Sequence, residues 1–144
     1  MKLALKEAHK AAAIDEVPVG AVVVCDGKVI ARGFNKREIN NDPLGHAEMI
    51  AIRKASKKLN NWRLINCELY VTVEPCAMCA GAIMWSRLKK VVYGTSDPKG
   101  GAMGEIFNLF DEKIVNHVPE IKSGVLASEC KELIQTFFRK KRQL

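Results

Sequence analysis

Cys76 and Cys79 stand three residues apart behind a proline, in Glu74-Pro75-Cys76-Ala77-Met78-Cys79-Ala80-Gly81. Proline followed by helix-compatible residues starts a helix, and this spacing puts both sulfurs on one face of its first turn. Two thiolates so placed are half of a tetrahedral zinc site. A catalytic site adds one more protein ligand and leaves the fourth position to water, and His46 in Gly45-His46-Ala47-Glu48 is the residue to supply it. Glu48 is a carboxylate near the metal but outside its ligand set. Zinc held by His46, Cys76 and Cys79 can lower the pKa of a bound water to about 7, so hydroxide is available near neutral pH. Attack on an amidine-like carbon of a base then needs a proton on the adjacent ring nitrogen and another on the departing amine. Glu48 can shuttle both, and the chemistry is hydrolytic deamination.

His-x-Glu followed downstream by Pro-Cys-x-x-Cys is also the known pattern of zinc-dependent nucleobase deaminases. Other chemistries use a bare Cys-x-x-Cys, as a structural zinc knuckle or a redox pair. A four-ligand structural site would show a second cysteine pair at similar spacing, and the sequence has none. A redox pair leaves His46 and Glu48 unexplained. Glu48 by itself could be a solvated first-turn carboxylate complementing the helix dipole.

The elements that must position these groups are legible from periodicity. Lys2 to Ile14 places Ala4, Leu5, Ala8, Ala11 and Ala12 on one face of an amphipathic helix, with His9 at its rim. Val19 to Cys25 and Lys28 to Phe34 read as strands joined through Asp26-Gly27, a hairpin turn pair. A polar loop, Lys36 to Gly45, leads to a helix that begins at His46 and ends in Lys57 and Lys58, cations that suit its C-terminal dipole. Leu69 to Val73 is a third strand feeding the cysteine helix, which runs to about Ser86, and Lys90 to Gly94 is a fourth. Pro98-Lys99-Gly100-Gly101 marks a loop, Glu105 to Phe110 a short helix, Ile121 to Leu126 a fifth strand, and Ala127 to Arg142 a closing helix capped by Ser128. The order predicts one α/β domain over residues 1–144, a central sheet with helices on its faces and ligands at the strand ends. Sequence does not establish that the histidine and the cysteines meet.

Composition sets the remaining bounds. A chain of 144 residues, 48% hydrophobic, can bury one core. There is no apolar run long enough to span a bilayer and no secretory leader, so a cytoplasmic location is expected. Five cysteines, an odd number with two in a metal-type pair, argue for a reducing compartment, with Cys25, Cys67 and Cys130 as buried thiols. A net charge of +7 makes an anionic partner such as nucleic acid plausible. Phe137 and Phe138 are neighbours on a helix, roughly 100° apart, so one faces inward while the other could meet a splayed base. Arg139-Lys140-Lys141-Arg142 suits either a helix C-terminus or an RNA backbone. Asn35 and Asp97 read on their own as turn formers, and His117 and Trp85 as structural.

With these residues in view, the chain resembles the bacterial tRNA-specific adenosine deaminases. The likeness runs from about Glu16 to Arg142, through Glu16-Val17-Pro18-Val19-Gly20-Ala21-Val22, Asp42-Pro43 with His46-Ala47-Glu48, Leu69 to Cys76, Met78-Cys79-Ala80-Gly81-Ala82 and Phe137-Phe138-Arg139 with Arg142. The metal motif is common to the whole deaminase superfamily, whereas the length of the match and the basic aromatic tail favour the tRNA branch. The resemblance implies a cytidine-deaminase-like fold, a three-layer α/β/α sandwich with a central five-stranded mixed sheet. It implies one zinc per chain, a homodimer, the tRNA anticodon stem-loop as partner, and conversion of the wobble adenosine of an arginine tRNA to inosine. It also implies that Asn35 hydrogen-bonds the purine and that Asp97 and Phe138 lie near the anticodon loop. Two departures stand out: the chain begins inside what would be the first helix, and Gly100-Gly101-Ala102-Met103-Gly104-Glu105 carries Met103 and Glu105 where small residues are usual. A free-base deaminase such as guanine deaminase uses the same metal motif, and a zinc-stabilised RNA-binding module without turnover is the competing non-enzymatic function.

Overall fold

Asp26 and Gly27 both adopt positive φ, 51° and 77°, which gives the turn between β1 (Gly20–Cys25) and β2 (Lys28–Phe34) the twist of a primed hairpin. The two strands pair antiparallel, with one register irregularity between Val23 and Val24. This computed structural model describes residues 1–104 and 106–143. Its other elements are α1 (Lys2–Ala13), α2 (Ala47–Leu59), β3 (Cys67–Val73), α3 (Ala77–Ser86), β4 (Lys90–Thr95), β5 (Glu120–Lys122) and α4 (Ala127–Arg142). One mixed sheet of five strands, in the order β2-β1-β3-β4-β5, organises them.

Side-chain alternation gives β1 and β2 two different faces, and two glycines identify what covers each. A Cβ on Gly20 would lie 2.4 Å from the Ala8 nitrogen, so α1 sits against that face. Gly33, paired with Ala21 on the other face, would meet the Ala47 carbonyl oxygen at 2.6 Å and the Ala51 nitrogen at 3.0 Å, so α2 lies there. Both helices approach closer than any side chain permits. α4 packs beside α1 and meets β4 through Cys130 against Gly94, whereas α3 packs beside α2. The layers are therefore helices, sheet, helices. The larger core lies under α2 and α3, where Leu64, Leu69, Val71, Ile83, Leu88 and Val91 are fully buried. Each such side chain stabilises the fold by about 1.5–3 kcal/mol relative to exposure.

Topology brings the two ligand segments together. β2 and β3 are each antiparallel to β1, so they run in the same direction and end at the same edge of the sheet. β2 leads through the 36–45 loop into α2, and β3 passes through Glu74 and Pro75 into α3. Both helix N-termini consequently stand over one sheet edge.

Cys67 and Cys130 are buried thiols, but Cys25, at the end of β1 beside the hairpin turn, is only half-buried, and three further expectations need correction. The closing helix begins after Leu126, whose carbonyl accepts the Cys130 N–H, so Ser128 lies inside the first turn and does not cap it. β5 covers only Glu120–Lys122, because Gly124 turns at a φ of 82° and Gly124 and Val125 donate to the carbonyls at the end of β4. In place of a helix from Glu105 to Phe110 there is a single 3-10 turn, Leu109–Asp111, capped by the Asn108 side chain, together with a bridge between Met103 and Asn108. Glu105 itself lies outside the described residues.

Replacing Gly33 by alanine should force α2 away from the sheet. We expect a loss of about 1–3 kcal/mol in thermal or denaturant unfolding. Because the displaced helix starts at His46, the variant should also retain less zinc on dialysis against a chelator.

Candidate active site

His46 and Cys76 occupy equivalent places, each the extended residue just before a helix, with φ of −75° in both. Each backbone carbonyl starts its helix, accepting from Ile50 and Ala80 respectively, while neither side chain caps it. The imidazole and the thiol are thereby free to point over the sheet edge. Cys79 follows one turn into α3 and is fully buried. His46 Nδ1 lies 3.6 Å from the Sγ of Cys76 and 3.6 Å from the Sγ of Cys79, and all three donor atoms fall within 4.8 Å of one another.

That spacing fits zinc. With bonds of about 2.05 Å to nitrogen and 2.3 Å to sulfur, a tetrahedral ion sets an N to S separation of roughly 3.6 Å. Three protein donors leave one corner of the tetrahedron for a small molecule, the arrangement of a catalytic site and not of a closed structural one. Both helix N-termini add positive potential that favours thiolates.

The protons follow the same geometry. A hydrogen bond from Cys79, reinforced by His46, pushes the Cys76 thiol down to about 4, against the opposing effect of burial. Cys79 is pushed up, by donating to Cys76 and by burial. His46 is raised by its hydrogen bond with Cys76, burial acting in the other direction. A metal cation would displace the shared protons, so its affinity should fall on acidification.

Glu48, in the first turn of α2, is 3% exposed. Burial pushes its carboxyl up to about 7. It lines a cavity of about 220 Å³ together with Val17, Asn35, His46, Glu74, Cys76 and Asp97. That space is on the scale of one heterocycle.

Of the residues nominated from sequence, Asn35 and Asp97 thus join His46, Cys76 and Glu48 around one cavity, while Cys79 is fully buried and outside its lining. Asn35 is buried, its amide donating to the Val17 carbonyl at 3.2 Å and accepting the Arg37 N–H at 3.2 Å. With one amide hydrogen and one lone pair used, it retains one of each for a ligand. Asp97 accepts the N–H groups of Lys99 and Gly100 with Oδ1. Phe138 is 41% exposed and is not among the cavity-lining residues; its edge meets Phe137, with ring centroids 5.5 Å apart. In the basic tail, Lys141 pairs with Asp15 and Arg139 bonds the Thr136 hydroxyl. His117 bonds the Leu88 carbonyl, as a structural residue would, while Trp85 is exposed. Besides Glu7, which α1 buries beside Lys10 although periodicity sets it on the polar face with Lys6 and Lys10, two buried carboxylates escaped the sequence reading. Glu16 accepts the Ile39 N–H at 2.6 Å and so anchors the loop before His46, and Glu74 shares the cavity wall. A carboxylate next to Pro75-Cys76 was a signal available for the second.

Comparison with known proteins follows the same line. The family model for MafB19-like deaminases matches residues 1–142. A tRNA-specific adenosine deaminase of Haemophilus influenzae is 51% identical, over 99% of this chain and 83% of that protein. One from Bacillus subtilis is also 51% identical, over 99% and 89%. Among solved structures, one from work on A-to-I editing by tRNA:A34 deaminases at the wobble position superposes with a TM-score of 0.90 at 47% identity, covering 92% of this chain and 96% of that one.

Burial of Glu48 has a measurable consequence in protein stripped of metal. Between its ordinary value of 4.5 and about 7, the folded state binds a proton that the unfolded state releases, so stability falls as pH rises through this window. Glu48→Gln should match the parent near pH 4 and exceed it by about 3 kcal/mol at pH 8. Denaturant unfolding at the two pH values checks this.

Proposed function

The chain belongs to the family of tRNA-specific adenosine deaminases, and on that premise we propose that it hydrolyses the wobble adenosine of an arginine tRNA to inosine. One observation carries the proposal: a histidine nitrogen and two cysteine sulfurs converge at zinc-binding separations beside a buried glutamate in a base-sized cavity. His46, Cys76 and Cys79 would hold the ion, one per chain. When bound, zinc supplies Lewis acidity that makes water nucleophilic near neutral pH.

Glu48 moves the protons. It takes one from the attacking water and passes it to ring N1 as oxygen bonds to C6 of the purine. The remaining hydroxyl proton then travels through the same carboxylate to the exocyclic nitrogen. The C6–N bond breaks, ammonia leaves, and the 6-oxo purine remains. A carboxyl that burial holds near 7 suits this work, because it must both accept and return a proton at neutral pH. Asn35 orients the purine through its remaining amide hydrogen and lone pair, Asp97 stands at the cavity wall, and Phe138 with the basic tail meets the anticodon stem-loop.

The wider assignment has its own supports. Residues 1–144 act as a single deaminase domain. A homodimer is supported by α3, which carries no charged residue and presents Trp85 at 63% exposure. RNA as the partner is supported by the net charge of +7 and by the four cations after the exposed Phe138. Among the described residues no helix is long and apolar enough to cross a membrane, and we place the protein in the cytoplasm with its tRNA.

Purified protein incubated with unmodified arginine tRNA should produce inosine at the wobble position, read by sequencing. Absence of inosine from fully zinc-loaded protein would overturn the assignment. Glu48→Ala should lose at least about 100-fold in turnover while zinc per chain stays constant; an RNA-binding module without turnover would be indifferent to the change. If Lys and Arg side chains neutralise tRNA phosphates, log affinity should fall linearly with log salt, by roughly 0.7 to 0.9 per contact. Filter binding at several salt concentrations measures the slope.

A further inference from the structure

Glu74 ends the run from β3 toward the cysteines, two residues before Cys76, and is 3% exposed. Its Oε1 accepts the Asp97 N–H at 3.0 Å and Oε2 accepts the Met103 N–H at 3.0 Å. Between these two anchor points the chain folds back on itself. Gly101 donates to the Asp97 carbonyl, and Ala102 donates to the carbonyl of Pro75, the residue after Glu74. Gly101 passes so close that a Cβ there would lie 2.4 Å from the Glu74 carboxyl carbon and one of its oxygens. The loop from Asp97 to Met103 is thus wrapped around one buried carboxylate.

Stapling a loop could serve the fold alone, but this loop forms part of the reaction cavity. Asp97 and Glu74 line the same 220 Å³ space as His46 and Glu48. The segment that carries Cys76 therefore also sets part of the cavity wall, through a carboxylate that cannot shift without moving Asp97. Among side chains that reach both amides, a carboxylate alone offers two acceptor oxygens and no competing donor. We propose that Glu74 is a positioning residue for the deamination reaction: its carboxylate clamps the Asp97 to Met103 loop against the cysteine segment and so fixes where the target nucleoside lies relative to the metal site. The functional half of this proposal rests on the deaminase assignment above.

Two variants displace the same loop by independent means. Glu74→Gln keeps the shape but turns an amide NH2 toward one of the two backbone N–H groups, so one of them loses its acceptor. Gly101→Ala leaves the carboxylate intact and pushes the loop away from it. Each should raise KM for an anticodon stem-loop RNA about tenfold or more, with a smaller change in kcat and unchanged zinc per chain. Combined, they should be no worse than the more affected single variant, because both break one contact. Amide hydrogen exchange, followed by NMR on the zinc-loaded protein without RNA, should speed up at Asp97 and Met103 in Glu74→Gln. Unchanged exchange at both amides, or loss of zinc in parallel with kcat at constant KM, would overturn the clamp. Should wild-type protein make no inosine, the deaminase assignment fails, and the exchange rates still decide whether Glu74 holds the loop.

Discussion

A histidine nitrogen 3.6 Å from each of two cysteine sulfurs is a donor cluster suited to a cation. In the absence of one they share protons, with Cys76 drawn toward thiolate and Cys79 forced to remain a thiol. Neutralising that cluster is the requirement around which the fold is arranged. Two helix N-termini supply positive potential, and the extended residue before each helix supplies a ligand whose backbone does the helix-starting work while its side chain stays free. The sheet makes this possible because β2 and β3 run in the same direction on either side of β1, which leaves both exits at one edge.

Around that centre, carboxylates are placed by what they must do. Glu48 is buried, which raises its carboxyl to about 7 against the opposing pull of the His46 charge, and so suits the proton transfers proposed for it. Glu16 is buried for another purpose, taking the Ile39 amide and holding the loop that enters α2. Glu74 takes the amides of Asp97 and Met103 and so holds the loop between them. All three lie in a protein with an excess of positive charge, and that excess is displayed elsewhere, largely on exposed helix surfaces such as the end of α4.

Close backbone approach is the other device. Gly20 and Gly33 let helices press onto opposite faces of the hairpin, and Gly101 lets a loop press onto a carboxylate. In none of the three does a left-handed backbone demand glycine, since the glycines with positive φ are Gly27, Gly104 and Gly124. What excludes a side chain there is the neighbour, often one distant in sequence. Periodicity cannot reveal such neighbours, and for that reason these glycines read in the sequence as ordinary strand or loop residues.

Local chemistry in the chain was sufficient for the Asp26-Gly27 turn and for the helices starting after His46 and Cys76, because each depends on residues within one or two turns of each other. Ser128 misled for the same reason: a capping residue was in view, but the backbone of Leu126 had already taken that role under contacts made elsewhere. The short β5 and the 3-10 turn near Phe110 likewise follow from hydrogen bonds to β4 and from the Leu109 N–H donating to the Ala102 carbonyl, which periodicity does not reveal. By itself, then, the sequence determined which atoms could bind a metal and which carboxylate could move protons. Only the tertiary structure decided that His46, 30 residues from Cys76, would meet it, and that Asn35, Glu74 and Asp97 would enclose the same space. The reason is physical: ligand type is a property of a side chain, whereas convergence is a property of strand direction and helix packing, which is set by the whole core at once.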